Sequence, residues 1–149
     1  YVARFATEFQ ALDSLKIAHE LDKRLQKEGR QLRVLVQMNS SAEPQKSGIA
    51  PEEAVDFARE LAAFDSLDVR GLMTVALNSS DQRAVADCFD LVVATQEKLR
   101  QEAGDTSDWS ELSMGMSGDL EIAIAHGSTQ VRIGTDIFGT RDPVRTWRP

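Results

Sequence analysis

The stretch "SMGMSGDLEIAIAHGSTQVRIGTDIFG" (113–139) decides the choice of fold. It begins with a short apolar strand pattern and continues into the helical pattern of "LEIAIAHG" (120–127). A second strand pattern, "TQVRIGTDIFG" (129–139), follows. A strand, a helix and another strand in this order predict one βαβ unit of a parallel sheet.

The same alternation runs through the rest of the chain. Further strand patterns lie at 8–14, 31–39, 67–76 and 109–117. Helical patterns between them begin after Ser14 or Asp13, at Pro51 and after Asp81, with Gly29 and Gly104 at two of the ends. The order β-α-β-α-β-α-β-α-β predicts right-handed crossovers and a parallel sheet.

Five strands of this kind fit either an open doubly wound sheet or part of an eight-stranded (β/α)8 TIM-type barrel. No G-x-G-x-x-G follows the first strand and no P-loop motif occurs, which argues against a nucleotide-binding sheet. Turns of small residues instead follow the last two strands, where barrels hold phosphates after strands seven and eight. We therefore expect a partial barrel whose first three βα units are absent from the chain.

Composition limits the function classes. The 149 residues are 42% hydrophobic and suit one globular domain, residues 1–149. A net charge of −7 argues against a nucleic-acid surface. The single Cys88 suits a reducing compartment, and no apolar run approaches membrane-spanning length, so we expect a cytoplasmic protein.

Arg132 interrupts the last strand pattern between Val131 and Ile133. Because a buried guanidinium without a partner is costly, two interpretations are open: a structural arginine paired with a carboxylate across the barrel, or a ligand contact. Gly134 and Thr135 follow at once. The glycine permits close backbone approach and the threonine adds a hydroxyl and an N–H, a pairing that suits a phosphate oxygen.

The preceding strand supplies a matching turn at "SGD" (117–119). Ser117 is there either as an ordinary N-cap of the next helix or as part of an anion site at the helix start. Together with Gly134 and Thr135 it would hold one phosphate from two sides.

Other reactive side chains have plainer interpretations. His126 precedes Gly127 at a helix end, and Cys88 and the methionines at 73, 114 and 116 fit core packing. Lys46 lies in a polar turn after a strand, and a reactive amine there remains an alternative. No spacing of histidines and cysteines supports a metal site.

Four segments closely resemble the pyridoxal phosphate homeostasis protein family. They are "ALDSLKIAHEL" (11–21), "EPQKSGI" (43–49), "RGLMTVA" (70–76) and "LSMGMSGDLEIAIAHGSTQVRIGTDIFGTR" (112–141). The resemblance implies a (β/α)8 barrel related to the alanine racemase N-terminal domain, which binds pyridoxal 5′-phosphate (PLP). It aligns this chain with strands four to eight, whereas the family's PLP-binding lysine follows the first strand and has no equivalent here.

The resemblance also implies residue roles. Arg132 matches the arginine that faces the pyridine nitrogen, and Ser117 matches the serine bound to the phosphate. Gly134 and Thr135 match the phosphate-binding turn, and Met116 lies beside the same site.

The function implied is that of a non-catalytic, monomeric PLP carrier, which buffers the cofactor or delivers it to PLP-dependent apo-enzymes. Two alternatives stay open: a PLP enzyme of racemase type, and a phosphate-binding barrel enzyme of other specificity.

Overall fold

The computed structural model describes residues 1–41, 43 and 47–140. Its strands are β1 (Glu8–Leu12), β2 (Leu32–Gln37), β3 (Leu67–Met73), β4 (Glu111–Met116) and β5 (Gln130–Arg132). Its helices are α1 (Val2–Phe5), α2 (Leu15–Glu28), α3 (Ala54–Leu61), α4 (Gln82–Glu102), α5 (Leu120–Ala125) and α6 (Thr135–Phe138), with a 3₁₀ turn at Pro51–Glu53.

All five strands are parallel and pair in chain order, β1 to β5, without a reversal. A doubly wound sheet requires a reversal of strand order, whereas a barrel does not. Side chains on β1 also contact side chains on β4 and β5 across the sheet. The sheet is therefore a curled half-barrel, which confirms the expected fold class.

Helix boundaries follow the capping residues of the sequence. The Ser14 hydroxyl accepts from the Ile17 N–H at 3.3 Å, and Gly29 ends α2 in the left-handed conformation at φ 61°. The Asp81 carboxylate accepts from the Arg83 N–H at 3.0 Å and starts α4. These predicted ends of the helices are confirmed.

The core lies between the helices and the convex face of the sheet. On β2, Leu32, Val34 and Val36 are buried in it, while Arg33 between them is exposed on the concave face. This alternation follows from the period of two in a strand. None of the helices in the described residues is long and apolar enough to cross a bilayer.

The predicted last strand, 129–139, is wrong in its length. The strand ends at Arg132, and residues Thr135–Phe138 form a helical turn in which the Phe138 N–H bonds the Gly134 carbonyl at 2.9 Å. The last register pair with β4 joins Met116 to Arg132, so no ladder continues past that point. The turn at α1 was also not predicted.

Candidate functional site

The Arg132 guanidinium is held by β4 and by the residue that follows β3. Its Nη1 donates to the Ser113 carbonyl at 2.9 Å and to the Ser113 hydroxyl at 2.7 Å. Its Nη2 donates to the carbonyl of Thr74, directly after β3, at 2.7 Å. Two nitrogens fixed on two strands leave the half-buried guanidinium with a defined orientation.

These bonds bear on the two interpretations of Arg132, the paired structural arginine and the ligand contact. Among the described residues, none of its hydrogen bonds goes to a carboxylate, and all three go to Ser113 or to the Thr74 carbonyl. Burial lowers the pKa of Arg132, and the Asp119 carboxylate opposes that shift. A guanidinium has five N–H groups and remains charged at ordinary pH. Three are used in these bonds, so two N–H groups make no hydrogen bond to the described part of the chain.

Ser117 does not cap the helix that follows it. Asp119 is the N-cap of α5, and its carboxylate accepts from the Met116 N–H at 2.6 Å, so the N-cap interpretation of Ser117 is wrong. The Ser117 hydroxyl instead accepts from the N–H of Asp136, in the first turn of α6, at 3.3 Å. The loops after β4 and β5 therefore meet at this hydroxyl.

The remaining predicted site residues lie in the same place. Gly134 and Thr135 are exposed at the start of α6, and a Cβ added to Gly134 would meet no atom within 4 Å. Met116 pairs with Arg132 in the β4–β5 register and is 39% exposed. All five predicted residues thus lie at the carboxyl ends of β4 and β5.

A cavity of about 510 Å³ opens beside this cluster. It lies between the loop after β3 and the loop after β4, and Met116, Gly118 and Asp119 are part of its wall. Val85 and Ile122 contribute apolar surface. Its size is within the range of small-molecule sites, about 300–1,000 Å³.

Other predicted candidates lie elsewhere. The His126 Nδ1 and the Asp90 carboxylate are 2.6 Å apart between α5 and α4, and Cys88 is buried in the core. Met73 and Met114 are buried as expected, whereas the core packing expected for Met116 is wrong because that side chain is 39% exposed. Lys46 lies outside the described residues. In the part of the chain that is described, no group of three or more His, Cys, Asp and Glu side chains could hold a metal ion.

Sequence reasoning missed the residues that hold Arg132. Ser113 is fully buried and Thr74 follows β3, and neither was singled out. One signal was available for Ser113. In "ELSMGM" (111–116), Glu111 and Ser113 are polar at alternate positions of an otherwise apolar strand, which marks the concave face.

The family model described as "Alanine racemase, N-terminal domain" matches residues 4–142. The chain belongs to this family. One curated relative is the pyridoxal phosphate homeostasis protein of Pasteurella multocida. It is 41% identical to this chain, and the match covers 89% of this chain and 57% of that protein. The one of Vibrio alginolyticus is 39% identical over 88% of the chain and 55% of its own length. The chain therefore spans little more than half of these relatives.

Solved structures share the fold of this chain. PipY of Synechococcus elongatus PCC7942, solved with PLP bound, has a TM-score of 0.82 and 29% identity, covering 93% of this chain and 65% of that one. D-threonine aldolase from Filomicrobium marinum, 19% identical with a TM-score of 0.72 over 86% of this chain and 36% of that one, shares the fold alone. The resemblance to the pyridoxal phosphate homeostasis protein family is confirmed. Proteins of this fold also include enzymes.

Proposed function

We propose that this chain binds PLP at the carboxyl ends of β4 and β5. Arg132 would donate to the pyridine nitrogen, while Ser117, Gly134 and Thr135 would hold the phosphate, with Met116 beside them. The observation that carries this proposal is the fixed Arg132 guanidinium, two of whose N–H groups make no hydrogen bond to the described residues. The contact between Ser117 and Asp136 lies in the loops that follow β4 and β5.

The chemistry of these residues fits the cofactor. A pyridine nitrogen accepts a hydrogen bond, and Arg132 is a donor only. A phosphate accepts from hydroxyl and backbone N–H groups, which Ser117 and Thr135 supply. The open space at Gly134 leaves room for the phosphate to approach the backbone. Among the described residues, lysines lie only on α2 and α4, so we assign no covalent link to this part of the chain.

The permanent positive charge of Arg132 favours a protein that holds the cofactor over one that uses it in catalysis. Bound PLP supplies an electron sink for chemistry at amino-acid substrates. A ring nitrogen that accepts from a permanent cation stays unprotonated, and Arg132 would therefore make the ring a weaker electron acceptor. We propose a non-catalytic role in PLP homeostasis, as buffer or carrier, which the names of the curated relatives and the PLP-bound PipY structure support.

The broader biology is part of the same proposal. PLP-dependent apo-enzymes would receive the cofactor from a monomeric, cytoplasmic protein. Residues 1–149 would act as a single domain, since one continuous sheet and one core join its elements.

Equilibrium dialysis of the chain tests this function. PLP should bind more tightly than pyridoxal, which lacks the phosphate, and more tightly than inorganic phosphate, which lacks the ring. Equal affinity for PLP and inorganic phosphate would favour a phosphate-binding enzyme instead. Exchange of the α-proton of amino acids with deuterated solvent, faster than free PLP gives, would favour the racemase-type alternative.

A further inference from the structure

A run of hydrogen bonds leads from Arg132 across the concave face of the half-barrel. Arg132 donates to the Ser113 hydroxyl at 2.7 Å, and that hydroxyl donates to Gln10 Oε1 at 2.6 Å. Gln10 Nε2 donates in turn to Gln130 Oε1 at 2.7 Å. Three strands, β5, β4 and β1, are joined in this way.

The hydrogen bonds that begin at Arg132 end at two carboxylates, those of Glu8 and Glu111. Gln10 Nε2 also donates to Glu8 at 2.5 Å, and Gln130 Nε2 donates to Glu111 at 2.8 Å. Arg33 lies between the two acidic residues, 3.7 Å from Glu8 and hydrogen-bonded to Glu111. Both carboxylates are thus paired with a cation and accept from an amide.

The carboxylates set the direction of every bond in the run. A carboxylate only accepts, so Gln10 must present its NH₂ to Glu8 and its carbonyl oxygen to Ser113. The single hydroxyl proton of Ser113 then goes to Gln10. A lone pair of that hydroxyl is therefore left to face Arg132. Aligned donors in this partly buried network polarise one another, so each bond strengthens the next.

We infer that Ser113 and Gln10 are positioning residues that orient the Arg132 guanidinium toward the ring nitrogen of a pyridine ligand. Neither side chain needs to touch the ligand. The inference rests on the proposed function for the identity of the ligand, but the positioning itself exists without one. Gln10 acts from β1, on the far side of the half-barrel from Arg132.

The first experiment uses no ligand. Side-chain ¹⁵N NMR reports rotation of the Arg132 Nη1 group, which its bonds to Ser113 slow. In Ser113→Ala and Gln10→Leu, rotation should become about tenfold faster, the factor that one hydrogen bond represents. Ser113→Thr keeps a hydroxyl and should restore slow rotation. Gln31→Leu, an exposed glutamine before β2, is the matched control and should match the parent. Unchanged rotation in Gln10→Leu, with unchanged urea midpoints, overturns the inference.

The second experiment adds PLP and its analogue in which carbon replaces the ring nitrogen. The parent chain should bind PLP about tenfold more tightly than the analogue. Ser113→Ala and Gln10→Leu should lose most of that ratio while binding the analogue as before. Equal weakening of both ligands would show a merely structural role and overturn the inference. If the parent binds neither ligand, the proposed function fails, and the rotation rates still decide the positioning.

Discussion

The hydroxyl of Ser117 accepts a hydrogen bond from the backbone N–H of Asp136 across 3.3 Å. This contact joins the loop after β4 to the first turn of α6, two segments that the sequence places on separate strands. It also places a hydroxyl and the exposed Gly134–Thr135 backbone on the same side of the sheet end. The proposed phosphate site is therefore built by two loops.

Ser117→Ala should weaken PLP binding about fivefold, since the proposed site loses one hydroxyl partner of the phosphate. Binding of pyridoxal, which has no phosphate, should change little. Isothermal titration calorimetry with both ligands measures this. Ser110→Ala, an exposed serine before β4, is the control and should leave both affinities unchanged. A similar loss for pyridoxal and PLP would contradict the phosphate role of Ser117.

Arg132→Ala should weaken PLP binding by about 10- to 100-fold, the range for a lost hydrogen bond to a charged group. Thr135→Ala should cost only a few-fold, because backbone N–H groups remain at that turn. Equilibrium dialysis of the two variants compares them directly. Equal losses would count against the roles assigned to both residues.

Gly71→Ala should destabilise the fold by about 3 kcal/mol. A Cβ at Gly71 would lie 1.8 Å from the Glu111 carbonyl oxygen, so β3 and β4 could not keep their pairing. Gly134→Ala meets no such contact and should change the free energy of unfolding by less than about 0.5 kcal/mol. Urea denaturation of both variants measures the difference, and equal stabilities would refute the close approach at Gly71.

Hydrogen bonds from the Ser110 hydroxyl and N–H lower the pKa of Asp108 below its ordinary value of 3.8. A lowered carboxyl pKa adds stability above the ordinary value, and that stability is lost as pH falls through the lowered pKa. Ser110→Ala should raise the pKa of Asp108 toward 3.8, and the stability difference from the parent should shrink as pH falls below 3.8. Carboxyl ¹³C NMR titration checks the shift, and an identical pKa in both proteins would contradict it.

Much of the fold could be predicted because its signals are local. Ser14, Asp81 and Gly29 act within one helical turn, and the short apolar runs of the strands are visible without knowledge of their partners. The family motif in 112–141 placed the predicted site residues after two strands, and the structure has them at the carboxyl ends of β4 and β5. Signals within a few residues of one another were therefore sufficient to predict the helix ends and the strands.

Features that depend on distant partners could not be predicted. The end of β5 at Arg132 depends on where its pairing with β4 ends, since Val131, Ile133 and Ile137 alone continue a strand pattern. The contact of Gln10 with Gln130 spans 120 residues and exists only because the sheet curls. No local pattern encodes such a distance.

A crystal structure of this chain soaked with PLP tests the central claim most directly. The account predicts the pyridine nitrogen within hydrogen-bond distance of the Arg132 guanidinium. It also predicts the phosphate between the Ser117 hydroxyl and the Thr135 N–H. A phosphate bound to Arg132 itself, or PLP bound away from the ends of β4 and β5, would contradict the account.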